Sequence, residues 1–573
     1  MKDLRRLLRL FFRQRVRIAL AAVFTIVQCA AQLCLPIFMA QIVDRGVMQG
    51  DLSSIMHNGI RMLIACFVLS GSGYAARILS AVSSERFAFD LRGALYDRIH
   101  TLSVDDVSAF GSGSLITRLT SDVRVCASLM GALLQITFSP LLLMLGGTVL
   151  VWRLNPRMGL IFLGFIVVQI VLMLLFIRRT SPMFRRVFEL TDRLNAYLQQ
   201  VLSRLRLVKI LTREQSEDDA FGEKNTEFLL FGISVQKIVS VFQPTVMMIV
   251  DGAAAVILLF AARSPAGQGI RVGEIMETIS YAQQVLLSIV ITGRLFQLIA
   301  QALPCAARLC EVLDAESSMR DGELPLQTGI GQLDMNHVCF RRPDSGDVLF
   351  DISISVRRGD FLVFLGPTGC GKSTLASLCA RLRDADSGSV LLDGTPIASY
   401  RLEDVRRHIA LVEKDTDILA GSFRDNILFG RSGIEPAEAD DAALAAQCAP
   451  LLRTLPDGAD TPIVSMGRTL SGGERQRLAI ARALAGRPDI LILDDCTSSL
   501  DYLTEERLLR EVRSAYPQMT ILLFGQRAFS AAQAGCVYYM ERGRIVGSGS
   551  DAELRNSCPA YRAFCAAGEG GAD

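Results

Sequence analysis

At 573 residues the chain is too long for a single core, so two or more domains are expected. An apolar share of 50% beside 21% charged residues excludes an ordinary soluble protein and also a chain embedded in lipid throughout. A net charge of +2 gives no footing for a nucleic-acid partner. The 14 cysteines lie singly, without zinc-site or disulfide spacing, and read as reduced thiols used as small apolar residues.

The N-terminal segment, 1–17, is basic and semi-amphipathic, and it lacks the short apolar core and small-residue cleavage site of a signal peptide. Six apolar stretches follow, near 18–43, 56–80, 128–152, 157–178, 238–262 and 275–303. Each is long enough to cross a bilayer, which takes about 20 residues. The third and fourth are joined by Arg153-Leu154-Asn155-Pro156-Arg157 and form a predicted antiparallel hairpin, with Trp152 at the water interface. Arg77, Gln283, Gln284 and Arg294 interrupt the second and sixth stretches and are expected to face other helices or an aqueous cavity. Asp251 in the fifth is equally costly in lipid; a helix-packing or cavity contact, including a pair with Arg294, stands beside a substrate, proton or ion contact.

Arginines crowd ahead of the first stretch and after the second and fourth, which places both termini in the cytoplasm. The outer loops are then short, near 44–55, 153–157 and 263–273. The cytoplasmic connections, 81–127 and 179–237, are long and helical in pattern. Each has a break where a transverse segment fits, at Phe110-Gly111-Ser112-Gly113-Ser114 and at Thr212-Arg213-Glu214. The expected organisation is a transmembrane domain over 1–313, a linker over 314–331 and an α/β domain over 332–573.

In the last of these, the apolar run Phe361 to Leu365 reads as a buried strand leading into Gly366-Pro367-Thr368-Gly369-Cys370-Gly371-Lys372-Ser373-Thr374 and a helical pattern. That is a phosphate-binding loop in its required context: glycines turn successive N–H groups inward, and the helix presents its positive end. Lys372 is expected to reach the β- and γ-phosphates, and the Ser373 hydroxyl to ligate Mg²⁺. A second strand-like run, Ile490 to Leu493, ends in Asp494-Asp495, and Asp494 fits a water-mediated hold on the same ion.

Upstream stands Leu470-Ser471-Gly472-Gly473-Glu474-Arg475-Gln476-Arg477. With these motifs in this order the chain resembles a half-transporter of the ABC exporter family over almost its whole length. Six spans, the Phe110…Gly113…Arg118…Asp122 stretch, and Val208-Lys209 before Glu214 carry the same resemblance, and the spans set aside soluble ABC proteins. It implies a six-helix transmembrane domain fused to a P-loop ATPase domain, with ATP and Mg²⁺ as cofactors. Two such domains would sandwich two nucleotides head to tail. Ser471, Gly472, Gly473 and Glu474 would then face the nucleotide on the partner's phosphate loop, with Asp501 in the Ser498-Ser499-Leu500-Asp501 loop nearby.

Against that family the chain departs at positions acting on its own nucleotide. Asp495 stands where the family has a catalytic glutamate, and the shorter side chain retracts the carboxylate by roughly an ångström, a misplacement that can cost about a hundredfold in rate. Gln526 replaces the switch histidine, Lys414 the glutamine that positions Mg²⁺ and the attacking water, and Arg342 the aromatic residue that stacks on adenine. A lysine at 414 should repel Mg²⁺ or point away, whereas arginine can stack on the base. Ser465, where the family often has glutamate, bears on communication between domains.

Loss confined to hydrolysis, with the phosphate loop, Asp494, the signature and Asp501 kept, implies a division of labour. The expected assembly is a heterodimer in a bacterial plasma membrane. This chain's site would hold ATP with little turnover, and its signature would complete a competent site on a second half-transporter. Export of an amphipathic drug, lipid or peptide is the resemblance's most frequent outcome. The rival expectations are a slow homodimeric exporter, an importer of a metal chelate, and an ATP-gated regulatory protein that transports nothing.

Overall fold

The computed structural model describes residues 2–262, 271–326, 331–342, 346–429, 431, 433–463 and 470–569. It divides into two units, one comprising Met1–His100 and Gly111–Ala315, the other Thr101–Phe110 and Glu316–Asp573.

The first unit is helical. Its long rods are α1 (Arg15–Gln41), α2 (Leu52–Thr101), α3 (Phe138–Leu154), α4 (Pro156–Ser203), α5 (Glu214–Ala262) and α6 (Val272–Asp314). Among the described residues six helical segments are long and apolar enough to cross a membrane. With 50 residues, α2 runs about 75 Å at 1.5 Å per residue, well beyond the roughly 30 Å hydrocarbon core. The tight connection between α3 and α4 is capped by Asn155, whose side chain accepts from the N–H groups of Arg157 and Met158, with Pro156 opening the helix. Phe162, Ile166, Val250, Ala253, Ile257, Tyr281 and Val285 pack a core among α4, α5 and α6.

A polar clamp fastens α6 to the segment that follows Gly111. Arg308 donates to both oxygens of Asp122 at 2.8 and 2.6 Å, and Arg118 donates to the Arg308 carbonyl at 3.0 Å. Arg118 also pairs with Glu311 at 2.9 Å. Asp122 is 2% exposed, so this carboxylate depends on its cation rather than on water.

The second unit is an α/β domain. Its strands are β1 (Gln332–Arg342), β2 (Gly346–Arg357), β3 (Phe361–Leu365), β4 (Ser387–Leu392), β5 (Thr395–Pro396), β6 (Ile409–Glu413), β7 (Gly421–Ser422), β8 (Pro462–Ile463), β9 (Ile490–Asp494), β10 (Thr520–Gly525), β11 (Cys536–Glu541) and β12 (Arg544–Gly549). Six of them form a sheet in the order β12-β11-β3-β10-β9-β6, parallel from β11 through β6. Every residue of β3 and β9 is buried, as a parallel sheet covered on both faces requires. A second, antiparallel sheet runs β2-β1-β4-β5.

In the first cytoplasmic connection helix lies on both sides of the Gly-Ser break, Val104–Phe110 before it and Ser112–Thr117 after it, parted at Gly111 with φ +75°. Residues 316–326 belong to the second unit, where Arg381 donates to the Arg320 carbonyl at 2.8 Å. Burial pushes the Cys379 and Cys448 thiols up to about 12, in keeping with inert reduced cysteines.

Candidate functional site

In an open parallel sheet, ligands bind outside the carboxyl ends of the strands. Four neighbouring strands here, β3, β10, β9 and β6, lead at those ends into Gly366, Gln526, Asp495 and Lys414 respectively. The strand order therefore gathers the phosphate loop and three altered positions into one place.

The loop from Gly366 joins β3 to α7 (Lys372–Cys379). Gly369 and Gly371 adopt φ +82° and +103°, open to glycine but strained for other residues. A Cβ on Gly371 would meet Leu349 at 2.7 Å. Lys372 is 7% exposed and curls over its own loop, donating to the Gly366 and Pro367 carbonyls at 2.6 and 2.9 Å. Burial raises the Asp494 carboxyl above its usual range, against a hydrogen bond from Ser373. A buried carboxylate beside a serine hydroxyl is a donor set suited to a divalent cation. Thr368 donates to Gln526 Oε1 at 3.1 Å, so the glutamine touches the phosphate loop through its carbonyl oxygen.

Asp495 sits at φ +50°, its N–H donating to the Phe524 carbonyl at 2.8 Å. Its Oδ2 lies 3.3 Å from Lys414 Nζ. The lysine thus lies against Asp495, a partner its sequence position did not reveal.

The signature segment opens α8 (Gly472–Ala485). Ser471 and Glu474 form a reciprocal capping box, the serine hydroxyl accepting from Glu474 N–H and the glutamate from Ser471 N–H at 2.7 Å. Cβ atoms on Gly472 and Gly473 would crowd Ser499 and Leu500 at 3.3 and 3.1 Å. Asp501 caps α9 (Tyr502–Ala515), and the hydrogen bond with Thr504 lowers its carboxyl. Arg527 ties this loop back, donating to the Leu500 and Ser498 carbonyls at 2.8 and 2.7 Å. Neither Arg527 nor the Gln476 side chain, which accepts from Ser499 N–H at 3.1 Å, was singled out by motif reading.

Arg342 ends β1, in the antiparallel sheet, and is exposed. Its charge reaches Asp105, which Arg383 grips with two hydrogen bonds of 2.7 Å. Asp106 holds the same short helix by accepting from Ser318 N–H at 2.9 Å. In the membrane unit Asp251 is exposed on α5, off the buried line of Val246, Val250, Ala253 and Ile257. Ser465, the side chain of Arg294 and residues 263–270 lie outside the described residues.

The family model for the ABC transporter transmembrane region matches residues 18–289, and that for the ABC transporter domain matches 349–498. The ABC transporter ATP-binding protein YfiB of Bacillus subtilis is 30% identical over 544 residues, covering 95% of each chain. The chain belongs to the ABC transporter family. Its membrane helices and ATPase domain make it a multi-pass integral membrane protein of exporter type, a class that acts as dimers and couples ATP hydrolysis to transport. An ATP-dependent lipid A-core flippase of Aromatoleum aromaticum is 30% identical over 517 residues, 89% of this chain and 85% of the relative. A fatty acid ABC transporter ATP-binding/permease protein of Mycobacterium tuberculosis is 28% identical over 480 residues, 84% and 76%. A solved bacterial Atm1-family ABC exporter with ATP bound shares the fold, with a TM-score of 0.81, 22% identity, and coverage of 96% of this transporter and 98% of that chain.

Proposed function

We propose that this chain is the low-turnover half of a heterodimeric exporter. The observation that carries the reading is Asp495, one methylene shorter than the glutamate its position calls for and held 3.3 Å from Lys414. A carboxylate retracted and engaged by a cation is a poor acceptor for a proton from an attacking water. Gln526 engages the phosphate loop by hydrogen bonding, without the positive charge an imidazolium would offer. The capped signature helix and its packed Ser499-Leu500 loop keep what a neighbouring site needs: a helix N-terminus and a serine for the partner's nucleotide.

ATP on Gly366–Thr374 and Mg²⁺ between Ser373 and Asp494 suit this reading. The metal, when bound, would neutralise phosphate charge, while Lys372 and the loop amides orient the phosphates. Nucleotide binding would close the two ATPase domains. The short helix Val104–Phe110 and its counterpart Leu205–Ile210 would pass that closure to the membrane helices, with the partner's site resetting the cycle. The arginine pattern supports cytoplasmic termini, and similarity to bacterial relatives supports a bacterial plasma membrane. Similarity to the flippase and the fatty acid transporter supports an amphipathic lipid or lipid-like substrate.

The test is to express this chain alone and with a second half-transporter that retains glutamate and histidine at the matching positions, then compare ATPase rates with Asp495→Asn. Brisk hydrolysis by the pair, little by the single chain, and little effect of Asp495→Asn on the pair are expected. An active dimer of this chain alone that Asp495→Asn kills would refute the proposal.

A further inference from the structure

Parallel pairing sets Glu413 of β6 opposite Asp494 of β9, so the next residues, Lys414 and Asp495, emerge side by side. The register itself makes this ion pair, and the Asp495 main chain is pinned by its hydrogen bond to Phe524. Around the phosphate loop the described carboxylates include Asp494, Asp495 and Glu413, and the described lysines are Lys372 and Lys414; Arg527 is paired with Glu505 at 3.5 Å beside Asp495, and the Arg383 charge reaches Glu413 from the Asp105 pair. Lys372 donates to two loop carbonyls and is already committed to the phosphates that the loop orients. Lys414 is 57% exposed in its side chain while Asp495 is 19% exposed, so the ammonium has room to swing and the carboxylate does not.

A triphosphate entering this loop brings several negative charges into a site already crowded with carboxylates. A divalent ion ordinarily offsets them, beside a neutral glutamine at the position of Lys414. Here that position carries its own cation on a four-carbon stem. We propose that Lys414 is a resident counter-ion: its ammonium rests on Asp495 and turns to the terminal phosphate when nucleotide binds. This site therefore accepts metal-free nucleoside triphosphate nearly as well as the magnesium complex. The inference rests on the low-turnover reading, since a site that does not hydrolyse has no need of a metal to position water. Asp495 is the docking point for the lysine, which gives the shortened carboxylate a positive role.

The experiment is photolabelling of this chain by radioactive 8-azido-ATP in the full-length transporter reconstituted in nanodiscs, with Mg²⁺ or with EDTA. Half-saturation for the wild type is expected to shift by less than about threefold on metal removal, and for Lys414→Gln by about tenfold or more, the range of one charge-assisted hydrogen bond. Lys414→Arg keeps the charge and should retain the wild-type tolerance of EDTA. Wild-type labelling that collapses in EDTA overturns the inference, as does Lys414→Gln tolerating EDTA as the wild type does. Steady-state turnover of Asp495→Asn is measured on the same preparations. A dead Asp495→Asn enzyme would sink the low-turnover reading, while the labelling curves judge the lysine on their own.

Discussion

Arg383→Met cuts an anchor that holds the short helix Val104–Phe110 to the ATPase domain. In the wild type, Arg383 donates through Nε and Nη2 to the two oxygens of Asp105, both at 2.7 Å. Bidentate charge-assisted bonds of this kind are worth about 1.5–3 kcal/mol when shielded. The Asp105 side chain is 43% exposed and Arg383 17%, so screening trims the figure to about 1–2 kcal/mol. Methionine keeps an unbranched apolar side chain but gives up the guanidinium's place 5.9 Å over the Phe340 ring and its 3.3 Å hydrogen bond to Ser377 along with the Asp105 pair. A second anchor, Asp106 on Ser103 and Ser318, stays in place.

A loss of about 1–2 kcal/mol raises the undocked population of the helix about 5- to 30-fold. Hydrogen exchange read by mass spectrometry should show that acceleration in the amides of Ser103–Phe110, with Gly472–Ala485 unchanged as an internal standard. Under the proposed coupling, transport per ATP falls while nucleotide labelling persists. Exchange within twofold of wild type over Ser103–Phe110 would refute the reasoning, because the pair would then contribute nothing to docking.

The same ion pair fixes a pH dependence. Arg383 holds the Asp105 carboxyl below the usual carboxylate range, so its contribution is complete above the unfolded value of about 3.9 and fades only as pH falls through the lower folded value; exchange over Ser103–Phe110, corrected for intrinsic rates, should be flat from pH 7 to about 5. Arg308→Met strands Asp122, a carboxylate 2% exposed, and should cost about 3 kcal/mol, read as a lowered Tm that the additional change Asp122→Leu partly restores. Gly371→Ala forces φ +103° on a residue with a Cβ only 2.7 Å from Leu349; strain of about 1–3 kcal/mol should weaken nucleotide labelling about tenfold or more. Asp494→Asn should raise the Tm of the nucleotide-free protein: the folded pKa lies above the unfolded one, so the ionised carboxylate costs stability above that folded value, and the amide removes the cost.

What the amino-acid order made legible was local. The phosphate loop could be read because its glycines answer a backbone demand, φ +82° and +103°, within nine consecutive residues. The six spans could be read because length and apolarity are summed along the chain. The short helix Val104–Phe110 was local as well, and its signal was missed: Ser103 and Asp106 exchange N–H bonds at 3.1 Å in a capping pattern three residues apart, ahead of the glycine break. Long-range partners were of another kind. Asp105 and Arg383 are 278 residues apart, and nothing in either neighbourhood names the other.

Lys414 shows why the distinction matters for function. Taken at its own position, a lysine in place of glutamine means repulsion of a metal ion or a side chain that points away. Its partner depends on β6 lying beside β9, a neighbour relation that skips β7 and β8 and that no spacing along the chain encodes. Once that register is known, Asp495 and Lys414 stop being two independent losses and become one coupled change, a shortened acid and a cation that meets it at 3.3 Å. Two losses of catalytic groups would leave a weak version of an ordinary site. A coupled pair describes a site with its own way of balancing phosphate charge, which is why removing the lysine alone should make nucleotide binding depend on metal rather than restore hydrolysis.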